Sequence, residues 1–144
     1  MMGAVRRQTE LDRATAEGML LALLAHVRHV MGDGPQIEIR HLIHPQAEMR
    51  LLVSFRKPLR GRAAVVDALE RGQAAVIFRA SDIRFEWLDD ATALGFGRAQ
   101  YSLEQGDIVE RDVCWLNEFR DGLVWRVEAF DTEHAARHAY AQHH

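Results

Sequence analysis

The sequence predicts an α+β domain built on an antiparallel meander, and three observations predict it. Arg111 to Ala141 carries two alternating apolar/polar segments around Asp121-Gly122, followed by a short amphipathic stretch. Asp-Gly between strand-like runs signals a tight hairpin, because both central turn residues need φ > 0. Further alternating runs lie upstream, broken at Asp89-Asp90 and at Gln105-Gly106-Asp107. Helical spacing falls before Gly72 and after Phe130, so strands and helices are segregated rather than alternating as βαβ units.

The elements follow in order. Met1 to Gln8 reads as a mobile tail, and residues 9–142 as one domain. Thr9 can cap a first helix, with Glu10 and Asp12 in the first turn where the helix dipole favours negative charge. Leu20, Leu23, Leu24, Val27, Val30 and Met31 continue it at helical spacing, and Gly32-Asp33-Gly34-Pro35 stops it. Ile37 to Ile43 alternates like a strand, but Leu42 breaks the pattern. Ala47 to Val53 is a clearer strand, and Ser54 to Arg60 a polar loop. Arg62 to Arg71 forms a helix with Val65, Val66 and Leu69 on its apolar side and Gly72 as terminator. Strands then run from Ala75 to Phe78, through Ile83, Phe85 and Trp87, from Ala93 to Leu103, Val109 to Phe119 and Leu123 to Phe130. Asp131 or Thr132 caps a last helix to about Ala141.

Bulk properties exclude several classes. With 144 residues and 48% hydrophobic content, the chain can bury a real core. A net charge of −3 argues against broad nucleic-acid binding, which needs a basic face. The single cysteine, Cys114, rules out an intrachain disulfide and fits a reducing compartment. The longest apolar stretch, Met19 to Ala25, is too short to span a bilayer, and Glu10, Asp12 and Glu17 before it do not suit a signal peptide. A cytoplasmic protein without membrane or nucleic-acid partners is expected.

Particular residues sharpen the fold. Gly61-Arg62-Ala63-Ala64-Val65-Val66-Asp67-Ala68-Leu69 is a glycine followed by a helix with an apolar i, i+4 pattern. Phe119-Arg120-Asp121-Gly122-Leu123-Val124-Trp125-Arg126 is similar to a W-x-F-x-D-G-K-I-x-R hairpin, with Leu123 where Lys or Arg is common. Phe130-Asp131 before Ala135-Ala136 closes strand into helix, and His44-Pro45-Gln46-Ala47-Glu48 precedes the first strand. Together these resemble the SnoaL-like branch of the nuclear-transport-factor-2-like superfamily, over roughly residues 10–140. The resemblance implies a cystatin-like cone: a curved antiparallel sheet wrapped around N-terminal helices, with a short C-terminal helix and a pocket open at one end. It makes Ile37 to Ile43 a short second helix and implies cofactor-free chemistry. No position matches the acid/base Asp, the Tyr–Asp pair or the Asp-Arg-Asp-type sets of the characterised enzymes, and a scaffold does not fix a function.

In such a cone, side-chain parity decides what faces the pocket. Between Asp112 and Phe119 the apolar set is Val113, Trp115, Asn117 and Phe119, with Asn117 as its odd member. A buried amide there is satisfied either by backbone near the turn or by a ligand. In the next strand Leu123, Trp125, Val127 and Ala129 form the apolar set, and Arg126 and Glu128 the outward one. Inverted parity would make Glu128 a pocket acid, the usual kind of general base. Phe85, Trp87, Tyr101, Trp115 and Trp125 read as either an aromatic pocket wall or core. The Tyr101 hydroxyl or Asn117 could donate to a ligand oxygen. The resemblance places a second copy of the chain against the outer sheet face, as a homodimer.

Other chemistry has weaker footing. His26/His29, His41/His44 and His134/His138 share helical spacing, but none carries the H-E-x-x-H order or an acidic third ligand, so no metal is expected and the histidines read as solvated or capping. His44 is kept apart as an acid/base at the pocket mouth. Arg56, Lys57, Arg60 and Arg62 read as a solvated basic loop, with an anion site as the alternative. Cys114 has no His placed to activate it. Two functions remain: a cofactor-free isomerase, cyclase, dehydratase or hydrolase acting on a small apolar oxygenated molecule, and a non-catalytic ligand-binding or dimerising module.

Overall fold

A computed structural model describes residues 12–30, 38–50, 57–70, 78–102 and 106–143, without the side chains of 27–30, 78–80 and 101–102. Helix α1 runs Arg13–Val30. Its cap is Asp12, whose carboxylate accepts from the Thr15 N–H at 3.1 Å and the Thr15 hydroxyl at 3.0 Å. Thr9, the cap expected from sequence, lies outside the described residues, as do the tail 1–8 and the stop at 32–35. Ile37 is also outside them; the remainder of the expected second helix is a single 3₁₀ turn, Arg40–Leu42, and Ile43 already belongs to a strand.

Strands β1 (Ile43–Arg50) and β2 (Leu59–Arg60) precede helix α2 (Arg62–Glu70). Four long strands follow, β3 (Phe78–Asp89), β4 (Thr92–Ser102), β5 (Ile108–Arg120) and β6 (Leu123–Phe130), then helix α3 (Glu133–His143). Gly72 and residues 51–56, 75–77 and 103–105 lie outside the described residues. Asp121 and Gly122 have φ of 56° and 74°, the two positive values that the two-residue β5–β6 turn requires. Thr132 caps α3, accepting from the Ala135 N–H at 3.1 Å.

The six strands form one curved sheet in the order β2-β1-β6-β5-β4-β3. It is mixed rather than wholly antiparallel as expected from sequence, because β1 pairs parallel to β6. The chain has the expected α+β cone architecture. Helices α1 and α2 pack on the inner face, where Leu20, Leu23, Ile43, Met49, Val65, Val66, Trp115 and Val124 are buried in one cluster. Full burial of such a side chain is worth about 1.5–3 kcal/mol. On the outer face α3 lays Ala136 and Tyr140 over Leu94, Cys114 and Leu116.

Two of the sheet's register shifts decide the side-chain parity around the inner face. In β3 the pairing with β4 slips between Ser81 and Arg84, leaving Asp82 at a φ of 55°. In the β5–β6 pair Glu118 faces Arg126 while Phe119 faces Val124, so Trp125 is the extra residue. An extra residue bends its strand and turns the following side chains over.

Candidate functional site

The inner face is organised in cross-strand rows. One row reads Phe85, Gly95, Trp115, Ala129; the next reads Trp87, Ala93, Asn117, Val127, Met49. Above them α1 presents Leu20, Leu23 and Leu24. Between helix and sheet lies a cleft of about 40 Å³ lined by these leucines with Ile83, Phe85, Gly95, Trp115, Asn117 and Val127. Roughly 10–15 Å³ on this scale holds one water, so the cleft admits only a few heavy atoms without side-chain movement.

Gly95 lines the cleft between Phe85 and Trp115. A Cβ there would lie 3.4 Å from Phe85 Cε1 and 3.2 Å from Asn117 Nδ2. Its absence lets the Phe85 ring and the Asn117 amide close up on the strand at this position. Trp87 sits one row further along, stacked on Phe119 with ring centroids 5.9 Å apart. Its indole N–H donates to Glu17 Oε2 at 2.8 Å, fastening the wall to α1. Trp87 thus bounds the cleft without lining it.

Asn117 is buried, and its amide nitrogen donates to two backbone carbonyls, Ala93 O and Trp115 O, each at 3.2 Å. Phe85, Trp115 and Asn117 therefore come together in the cleft. Tyr101 lies in β4 opposite Val109, and its side chain is outside the described residues.

Three expected site residues lie elsewhere. Trp125, read from alternation as inward, is carried out of the inner row by the β6 bulge. It lies beneath Arg120, whose guanidinium carbon is 3.5 Å from the ring centroid, with Arg126 at 5.0 Å. His44 lies at the start of β1 against the β5–β6 turn, not among the described residues that line this cleft. Its Nδ1 accepts from the Gln46 N–H at 3.0 Å, leaving Nε2 to carry the proton toward Asp121 Oδ2 at 3.1 Å. The ring pins the start of β1 to the β5–β6 turn. Glu128 faces outward, paired with Arg50 at 3.0 Å.

Among the described residues no group of three metal-ligating side chains occurs. His26 is buried rather than solvated, while His134 and His138 are exposed. Arg60 pairs with Glu48 at 3.3 Å, and Arg62 donates to Ile43 O at 2.9 Å; Arg56 lies outside the described residues. No described helix is long and apolar enough to cross a membrane.

Cys114 is buried beneath α3. Burial, then the nearby Glu133 carboxylate, pushes its thiol up to about 11. Few thiolates exist at neutral pH, so at pH 8 a disulfide reagent such as Ellman's should react at least about 100-fold slower than with free cysteine. Denaturant should restore the rate; prompt reaction of the folded chain would contradict this environment for the thiol.

No family model matches the chain, and no curated protein matches it. Solved structures do. A nuclear-transport-factor-2-like protein from Burkholderia xenovorans LB400 matches with a TM-score of 0.65 at 14% identity, over 90% of this chain and 98% of that one. An M. tuberculosis LEH-like epoxide hydrolase gives 0.60 at 18% identity, over 88% and 90%. An epoxide hydrolase/cyclase-like enzyme of pyran ring formation in the polyether salinomycin gives 0.60 at 13% identity, over 85% and 95%. Strand order, the helix-roofed inner face and these matches agree that the chain has the nuclear-transport-factor-2-like fold.

Proposed function

We propose that the chain is a SnoaL-like small-molecule pocket protein that holds a small apolar ligand between α1 and the inner sheet face without transforming it. One observation carries this reading: among the described residues the cleft is walled by Leu, Ile, Phe, Trp and Val, with a single amide and no titratable side chain. Apolar walls with few polar groups suit ligand capture. Proton transfer needs an acid or base within reach of the substrate, and the two expected from sequence, His44 and Glu128, lie elsewhere.

A second reading, a cofactor-free enzyme on an apolar oxygenated substrate, draws support from the epoxide hydrolase and cyclase-like names of the structural neighbours. Fluorescence separates the two. Trp115 lines the cleft, whereas Trp125 lies outside it as a constant background. Titration with small cyclic hydrocarbons, alcohols, ketones and epoxides should give saturable emission changes, with Kd of roughly 10 μM to 1 mM for ligands this small. Ligand recovered unchanged supports the binding module. Product accumulation supports the enzyme, and an unresponsive Trp115 across the panel removes the cleft as a site.

A further inference from the structure

We infer that Asn117 makes the cleft selective for hydrogen-bond donors: it takes a small alcohol, phenol or N–H compound in preference to a ketone, ester or ether of the same shape. This rests on the cleft being a ligand site and specifies what that site accepts. An asparagine amide offers two N–H donors and one carbonyl acceptor. Both donors are engaged here, on Ala93 O and Trp115 O at 3.2 Å each. Which end is nitrogen follows from the partners: two carbonyl oxygens attract an NH₂ group and repel an oxygen, so the amide cannot be turned round.

That leaves Oδ1. Among the described residues nothing donates to it, yet it is not one of the fully enclosed side-chain atoms lacking a partner. Asn117 is 4% exposed and lines the cleft, and with its NH₂ group engaged on two carbonyls, Oδ1 is the atom it has left to offer a ligand there. Among the described residues every other lining residue is apolar or glycine. The described wall therefore presents one side-chain acceptor in otherwise apolar surroundings.

The consequence is a polarity opposite to that of an oxyanion hole. A ligand carbonyl brought to Asn117 would set oxygen against oxygen with no proton between them, whereas a hydroxyl would donate along the acceptor direction. A site built for a hydrogen-bonding group discriminates strongly against an analogue that lacks it, because the buried partner is left unpaired. Asn117 acts as a specificity determinant, and its fixed orientation comes from the strand carbonyls on either side.

The test uses matched ligands on the whole chain: cyclohexanol against cyclohexanone, and phenol against anisole, with methylcyclohexane and toluene as references. Calorimetry or Trp115 emission should show each donor binding at least about 10-fold tighter than its partner. In Asn117→Leu the gap should close to within about 2-fold while the hydrocarbons bind as well or better. The wild-type pairs decide the question even if that variant folds poorly. Ketone and ether binding as tightly as alcohol and phenol, with hydrocarbons also bound, overturns the selectivity and leaves the pocket standing. Failure of all six ligands overturns the pocket reading and the selectivity with it.

Discussion

Replacing Gly97 by Ala should lower stability by about 2 kcal/mol, a loss in Tm of roughly 6–8 °C for a chain of this size. Gly97 lies in β4 opposite the β3 bulge, where Asp82 and Ile83 crowd one position. A Cβ there would lie 2.5 Å from Ile83 Cδ1, 3.0 Å from Ser81 O and 3.3 Å from Trp115 Cζ3. The Ile83 methyl can swing aside, but Ser81 O is backbone held in the β3–β4 pairing and cannot. Ile83 and Trp115 also line the cleft, so ligand affinity should fall with stability. Gly18→Ala is the contrasting variant. Gly18 is exposed within α1 with nothing near its missing Cβ, so alanine should add about 0.5–1 kcal/mol through helix propensity. Thermal melts of the two variants should therefore move in opposite directions. An unchanged melt for Gly97→Ala would mean that β3 does not approach β4 as closely as the bulge requires.

What could be read in advance was whatever one short segment decides for itself. Asp121-Gly122 supplies both positive-φ positions of its turn, so the β5–β6 hairpin was readable without reference to the rest of the chain. The inward set of β5, Trp115 and Asn117 among it, followed from simple alternation because that strand is regular up to Glu118. In β6 the same reasoning failed at Trp125. An apolar bulge residue extends an apolar alternation instead of interrupting it, so Leu123, Trp125 and Val127 read as one face when a bulge divides them. The parallel pairing of β1 with β6 joins residues some eighty positions apart and left no local mark; it carries His44 to Asp121. Asn117 stood out as a polar residue among apolar ones, but whether it offers a donor or an acceptor depends on the carbonyls of Ala93 and Trp115, which only the folded sheet places.

Arg126→Leu should cost about 2 kcal/mol, and adding Glu118→Leu should recover at least half of it. Across the outer face Glu48, Arg126 and Glu118 form one row over three strands, with Arg126 at 3.6 Å from each carboxylate. The Glu118 side chain is only 8% exposed and that of Arg126 is 40%. Removing the arginine takes away a positive charge facing a carboxylate that is largely out of water, and losing one member of a buried charge pair costs more than the pair gains. The partial exposure of Arg126 keeps the penalty below the 3–5 kcal/mol typical of fully buried pairs. Glu48 is less affected, because Arg60 approaches it at 3.3 Å. The double variant removes that carboxylate as well and places two leucines around the hollow that Leu116 lines, so it should melt above Arg126→Leu even though it carries one more substitution. A double-mutant cycle by urea unfolding measures this directly. Additive losses from the two substitutions would show that water reaches Glu118 freely, and the charged row would then be a solvated surface rather than a constraint on how β1, β6 and β5 align.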